Sequence, residues 1–461
     1  NITSIDQEVV QATVTGDLWT IPTADYPVAV VLGYEHRADS SNFRPDTFLS
    51  SGDVLGFNAG DVTKGRYSVE EIFGEISLPL LSDAPFAEDL TLWGAARSSD
   101  YSNIGRVSSF ATAINWSPIE SLKFRTGYQE AVRAPNVNEL FQGQSNGFPG
   151  ADDPCSAGGI TAATDRALCV ATGVDPDAVG VFTQANPQIE GRFGGNPDLT
   201  EETSETFTIG LVWEPTDSLD ITVDYYDIEI EDAISVLGGG LNNTLDLCYN
   251  EIKDVNSQYC QAVSRRGDNQ VDVVNVLNAN IGTIETSGVD LNVYYSTDFG
   301  FGLGGSGSTF DVAFNSTFLD TYDVTPVADL PDRVDVCAGS FGNTCGSPLP
   351  EISWNLRTTL NTGNWTFSAL LRYIGEVDDD QIENNDVSSR DLPAPSIEDE
   401  YYMDLTMAYA FEQGLYVSVG ATNIFDTEPT PIGDSAEQAN TFPSTYPLFG
   451  PRVFVSASYK F

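Results

Sequence analysis

EISWNLRTTLNTGNWTFSALLRYIGE (351–376) reads as two strands and the turn between them. Ile352, Trp354, Leu356 and Leu360 alternate with Ser353, Asn355 and Arg357. After the turn NTG (361–363), Trp365, Phe367, Ala369, Leu371 and Tyr373 alternate with Thr366, Ser368 and Arg372. A period of two is the mark of a strand with one apolar and one polar face. The same pattern returns downstream. Leu415, Val417, Val419 and Ala421 alternate with Tyr416, Ser418, Gly420 and Thr422, and Val453, Val455, Ala457, Tyr459 and Phe461 alternate with Ser456, Ser458 and Lys460.

Carried along the chain, the pattern predicts about 15 strands. Their spans are 8–20, 26–39, 67–81, 88–102, 107–119, 122–133, 201–214, 219–233, 281–297, 308–323, 351–361, 364–376, 401–412, 415–425 and 452–461. The connections alternate. Short ones fall at 21–27, 82–89, 117–121, 214–218, 298–307, 361–363 and 412–414. Long ones fall at 40–66, 134–200, 234–280, 324–350, 377–400 and 426–451, with the modest turn 98–106 in the same set. A soluble sandwich has no reason to gather its long loops at one end, whereas a bacterial outer-membrane barrel has short periplasmic turns and long extracellular loops. Trp116, Trp213, Tyr128, Tyr295, Tyr373 and Tyr409 lie near strand ends, where interfacial girdles belong.

Composition narrows the function classes. The chain has 461 residues, with 68 Asp and Glu against 20 Lys and Arg, for a net charge of −48. Such a chain has nothing with which to neutralise phosphates, so no nucleic-acid partner is expected. One histidine, His36, leaves no His-rich metal site and little His-based acid–base chemistry. No run of about 20 apolar residues forms a spanning helix, which says nothing against a barrel. No G-x-S-x-G, Walker or H-E-x-x-H motif is present. The chain is expected not to be an enzyme and to need no cofactor.

The six cysteines fall as local pairs, Cys155 with Cys169, Cys248 with Cys260 and Cys337 with Cys345, all inside long connections. Six cysteines allow about 15 connectivities. Local pairing is the economical one, and free or metal-bound thiols are the alternative, unsupported by any C-x-x-C or partner His. Disulfides place these loops in an oxidising compartment.

Several segments now resemble the TonB-dependent outer-membrane receptors. RSSDYS (97–102) and INWSPIESLKFRTGYQEAVRAPNVNELF (114–141) are similar to the family's central barrel segment, with its R-A-P-x-x-x-E-L-F signature. NPDLTEETSETFTIGLVWEP (196–215) resembles the return strand after the next loop, and YDIEIEDAI (226–234) and IETSGVDLNVYYS (284–296) the following hairpin positions. TNIFDTEP (422–429) resembles an N-L-F-D-x-x-P close with Ile424 in place of Leu, and RVFVSASYKF (452–461) a terminal strand ending in Phe.

The resemblance implies an all-β, transmembrane antiparallel barrel, with residues 1–461 supplying about 15 of an expected 22 strands and the plug and first strands lying outside this sequence. It implies a receptor in the outer membrane of a Gram-negative bacterium, its loops extracellular, that binds a scarce or large nutrient and imports it with energy transmitted by TonB. The implied partners are the TonB complex through a missing N-terminal segment, the barrel assembly machinery reading Tyr459 and Phe461, and outer-membrane lipid and lipopolysaccharide. The acidity, with few arginines to make a basic vestibule, leans away from anionic ferric siderophores toward an oligosaccharide, a peptide or a cationic metal complex. A saline habitat explains the same acidity without reference to ligand. The loop aromatics best placed to stack on a ligand are Phe141, Phe148, Phe193, Tyr249, Tyr259, Phe341, Phe442, Tyr446 and Phe449. The plainer reading is that these rings pack the loops together. No metal site is expected; the carboxylates of Asp378, Asp380 and Glu383 are of a type that holds Ca2+ but lack the Gly and spacing of an EF-hand loop. Two other classes stay open: a secreted disulfide-bonded sandwich or propeller that binds glycans, and a barrel enzyme needing a Ser and a His.

Overall fold

The computed structural model describes the chain except Phe57, Ser306, Asn343, Asn385, Asp386, residues 434–436 and Phe461, together with the side chain of Asp391. Fifteen long strands form one continuous antiparallel sheet in which sequence neighbours are spatial neighbours throughout. They are β1 (Ile2–Thr20), β2 (Pro27–Arg44), β3 (Thr63–Ala84), β4 (Ala87–Tyr101), β5 (Gly105–Ile119), β6 (Leu122–Arg133), β7 (Glu202–Thr216) and β8 (Leu219–Glu231). The rest are β9 (Thr283–Phe299), β10 (Ser308–Thr325), β11 (Ile352–Thr362), β12 (Trp365–Ile374), β13 (Glu400–Ala410), β14 (Leu415–Thr422) and β15 (Arg452–Tyr459). This is a single barrel-type sheet, not two packed sheets. Among the described residues the outer edges of β1 and β15 pair with nothing, and every residue of both strands is exposed.

Register shows why the period is two. Ile72, Gly74, Ile76 and Leu78 of β3 stand opposite Ser98, Ala96, Gly94 and Leu92 of β4. Leu92 in turn opposes Ile114 of β5, and Trp116 opposes Phe124 of β6. These residues share one apolar face, the face a transmembrane barrel turns to lipid. The six aromatics expected at girdles all lie on it. Trp365 packs on Tyr409 at 4.7 Å near the short turns, and Tyr373 on Tyr401 at 4.9 Å near the long loops. Trp365 and Tyr373 are eight residues apart on β12, about 26 Å along the strand, and mark the two ends of its apolar face.

The opposite face is polar and cross-linked between strands. Arg97 of β4 donates to Glu71 of β3 at 3.1 Å, and the Ser99 hydroxyl donates to the same carboxylate at 2.6 Å. Arg125 of β6 reaches past β7 to Asp224 of β8 at 2.8 Å. Thr317 of β10 donates to Asp290 of β9 at 2.7 Å. Gly33 of β2 pairs with Phe73 on this face, and the Phe73 ring fills the space a Cβ at Gly33 would take.

The predicted spans hold to within three residues except that β1 starts six earlier, β2 ends five later at Arg44 and β3 starts four earlier at Thr63; two differences are instructive. β1 begins at Ile2, six residues early, because Ile2 to Asp17 pair without a break against β2. β14 stops at Thr422 because Asn423 turns into the left-handed region at φ 50°. The turn between β4 and β5 is only residues 102–104, so that connection is short at the long-loop end.

Candidate functional site: the loop canopy

Among the described residues the sheet carries no cluster of buried apolar side chains. Both buried apolar clusters lie in the long connections. The larger joins residues 134–201 to 232–282 and buries Leu168, Val174, Leu245, Leu247 and Val274 around four of the cysteines. The smaller joins the connections after β10, β12 and β14 and buries Phe341, Val377, Ile397, Ile432, Phe442 and Tyr446. Short strands give each cluster a frame. Val263–Arg265, Val271–Asn275, Gly191–Phe193 and Ser145–Gly147 form one small sheet, in which Val271–Asn275 runs parallel to Gly191–Phe193. Ser340–Phe341, Val377–Asp379 and Ser396–Ile397 form another.

Disulfides join Cys155 to Cys169, Cys248 to Cys260 and Cys337 to Cys345, with Cα atoms 5.7, 4.8 and 5.3 Å apart. Each stays within one loop. Beside the apolar cluster they share, a buried ion pair also crosses the seam between the two largest loops. Arg265 donates to both oxygens of Asp153, at 2.6 and 2.8 Å, and both side chains are only 1% exposed. Its guanidinium also donates to the Asn269 carbonyl at 3.0 Å and the Tyr249 hydroxyl at 3.1 Å, and lies 5.3 Å from the centre of the Tyr249 ring. Burial draws the Arg265 pKa down, but Asp153 and Tyr249 outweigh it and hold the value above the ordinary one. Nothing in the sequence marks Arg265 for this role. Asp153, two residues before Cys155, lay in a disulfide loop, which was the available hint that it is structural.

The aromatics proposed from sequence divide by burial. Tyr249, Tyr259, Phe341, Phe442 and Tyr446 are at most 2% exposed and form the loop cores. Phe141 ends a short helix, Val137–Phe141, opened by a capping box between Asn136 and Glu139. Its ring covers Gly65 of β3 so closely that a Cβ there would fall 1.9 Å from it. Phe193 is half-buried, its ring against Gly147 and Gly191. Only Phe148 (44%) and Phe449 (63%) present open rings, and Phe449 already stacks on the Arg452 guanidinium at 5.1 Å.

Arg133, at the loop end of β6, bridges Glu139 at 2.9 Å and Glu202 of β7, fixing where the largest loop leaves the sheet. Asp380 is 1% exposed and accepts from the backbone N–H of Thr344 and Cys345 at 2.7 and 2.9 Å. Burial pushes its carboxyl above the usual range, against the pull of those two donors. Among the described residues no three His, Cys, Asp or Glu side chains are grouped to hold a metal, so Asp378, Asp380 and Glu383 do not form one such group. Tyr459 lies on the apolar face of β15, and Phe461 lies outside the described residues.

Between the two largest loops lies a cleft of about 200 Å³ with Phe148 and Ile189 on one side and Arg266, Gln270 and Asp272 on the other.

The family model "TonB dependent receptor-like, beta-barrel" matches residues 4–424. In structure the chain is similar to a mutant ferric enterobactin receptor of Pseudomonas aeruginosa solved with enterobactin, at 14% identity over 99% of this chain and 54% of that one, with a TM-score of 0.61. It is similar to the siderophore receptor PirA of Acinetobacter baumannii, at 14% identity over 100% and 55%, with a TM-score of 0.60. The copper transporter OprC aligns at 12% identity over 99% and 57%, with a TM-score of 0.51. These likenesses concern the fold, and the chain spans just over half the length of each neighbour. With its fifteen-stranded sheet and its match over residues 4–424, the chain belongs to the TonB-dependent receptor β-barrel family.

Proposed function

We propose that this chain is the greater part of the barrel and the ligand-catching canopy of an outer-membrane import receptor in a Gram-negative bacterium. It would bind a nutrient at the cell surface and release it to the periplasm with TonB-transmitted energy, as a transporter with no covalent chemistry. The observation that carries the reading is the segregation of loops. The connections with their own cores and disulfides sit at one end of a sheet whose two faces are apolar and polar, while the connections at the other end are eight residues or fewer. Loops outside the cell need disulfides and cores of their own. The unpaired edges of β1 and β15 cannot stand in lipid. Further strands would close them, and a plug with a TonB-contacting segment would fill the lumen.

Neighbours in structure bind a ferric siderophore or carry copper by their names. Here the net charge of −48 argues for a neutral or cationic ligand, an oligosaccharide, a peptide or a cationic metal complex. The barrel assembly machinery would read the end of β15, with Phe461, and lipid and lipopolysaccharide would cover the apolar face.

The test uses the native strain and whole receptor. Protease added to intact cells should cut within residues 134–201 or 232–282 and spare the short turns, and ligand-dependent growth should be lost on deletion of either the receptor or TonB. Cleavage at the turns in intact cells, or growth indifferent to TonB, would overturn the reading.

A further inference from the structure

We infer that the cleft between the two largest loops is a saccharide-binding site, a surface capture point for a neutral oligosaccharide. This rests on the import reading and narrows its ligand. Three observations carry it.

The first is the shape of the lining. The cleft holds about 200 Å³ and has Phe148 as its aromatic wall. The ring is 44% exposed although its chain segment is pinned: Gln188 donates to the Phe148 carbonyl at 2.6 Å, and Ile189 donates to the Pro149 carbonyl at 3.1 Å. An open aromatic held on a fixed backbone is a stacking platform, because it buries area without paying much entropy.

The second is that both walls are preorganised by side-chain amides. Gln184 accepts from the Asp153 N–H at 2.7 Å and donates to the Ala151 carbonyl at 2.7 Å. Gln270 crosses the seam, accepting from Ala185 N–H at 3.0 Å and donating to the Thr183 carbonyl at 3.1 Å. Asp153, paired with the buried Arg265, is itself part of the lining. A cleft fixed from both sides does not have to be ordered by its ligand.

The third is the charge pattern. Arg266 is half-exposed and touches Asp268 and Asp272 only at 3.9 Å each, so its donors remain free for a ligand. Asp272 and Glu190 line the same space, with Glu190 held by Asn146 at 2.8 Å. One guanidinium beside two carboxylates suits a ligand that both donates and accepts, as sugar hydroxyls do. A catecholate or phosphate anion would meet the carboxylates; the apolar lining is Phe148 with Ile189, Val271 and Ala185, and the other lining residues are polar or charged, as sugar hydroxyls require.

The test is calorimetric titration of the purified whole receptor with neutral hexasaccharides (malto-, cello-, laminari-, xylo- and chito-series), an acidic alginate hexamer and ferric enterobactin. At least one neutral hexamer should bind. Phe148→Ala should weaken it about tenfold or more, and Arg266→Gln or Asp272→Asn several-fold, with hydrogen exchange of the loop cores unchanged. If no neutral hexamer binds, or if binding survives Phe148→Ala with the cores intact, the inference is wrong. Ferric enterobactin binding with the neutral panel silent would also overturn it, while leaving TonB-dependent import standing. Loss of TonB dependence would instead remove the import reading itself.

Discussion

Replacing Arg265 by Met should open the seam between the two largest loops without unfolding the barrel. Met keeps much of the aliphatic volume and removes the charge. It deletes the two bonds to Asp153, at 2.6 and 2.8 Å, and those to Asn269 and Tyr249. Asp153 would keep only the Cys155 N–H, at 3.0 Å, as a donor to its buried carboxylate. Removing one partner of a buried pair costs about 3–5 kcal/mol, which is roughly a 10²- to 4 × 10³-fold rise in the opening equilibrium. The disulfides cannot compensate, because each closes within its own loop, over sequence separations of 14 and 12. Hydrogen exchange on the purified receptor reads this directly. Amides of Val263–Arg265, Val271–Asn275 and Gly191–Phe193 should lose protection by that factor, while those of β7 to β9 keep theirs. If the module's own stability is smaller than the cost, all its slow amides vanish together. The double change Asp153→Leu with Arg265→Met should recover most of the protection, since an apolar pair replaces an orphaned charge. Unchanged loop protection in Arg265→Met, or equal losses in the barrel strands, would refute the reasoning.

Three further outcomes follow from local geometry. Gly65→Ala should displace Phe141 from β3 and cost about 1–3 kcal/mol as overpacking, because the Phe141 ring occupies the place the new Cβ would take; this reads as increased protease access to residues 134–145, and unaltered access would refute it. Tyr446→Phe should be neutral or stabilise the smaller loop core by about 1 kcal/mol, because the Tyr446 hydroxyl is buried with no hydrogen-bond partner among the described residues; a clear loss of protection around Phe341 and Ile397 would show that the hydroxyl is bonded. Asp380 has its carboxyl pKa raised by burial, so its folded value exceeds the unfolded one and the charged form is penalised. Loop protection, corrected for intrinsic exchange, should therefore fall as pH rises from the ordinary Asp value near 4 through the raised one, and Asp380→Asn should flatten that slope; a slope unchanged by the substitution would refute the assignment.

The barrel was legible and the canopy largely was not, for a physical reason. In the sheet each face meets one uniform environment, so every strand repeats the same alternation, and Ile352 to Tyr373 could be read without knowing a single partner. In the canopy the strands are two to five residues long and their partners distant. Val271–Asn275 pairs with Gly191–Phe193 across some eighty residues, and no period survives in so short a run. The ion pair Arg265–Asp153 spans 112 residues of sequence and announces itself by nothing but its environment. Aromatics in loops are ambiguous for the same reason. A ring that packs a loop and a ring that stacks on a ligand have one composition. A usable signal was adjacency: Tyr249 follows Cys248 and Tyr259 precedes Cys260, and residues beside a disulfide are drawn into the core it staples.

The two halves of the molecule are held by different forces, and this decides what substitutions can reach. Strand β3 is bonded to β2 and β4 along nearly its whole length, and its apolar face needs lipid rather than a packed interior. Its stability is spread over backbone bonds that no single side chain carries. The canopy stands in water, where loops of this length must bury their own apolar residues or stay disordered. It does so around Tyr249 and Cys248 in one cluster and Phe341 and Phe442 in the other. Its stability is concentrated in a few side chains, so it can be loosened locally while the wall stands. With canopy and wall separable in this way, the cleft around Phe148 can change without disturbing the strand register beneath it, because no residue of that cleft belongs to β1–β15.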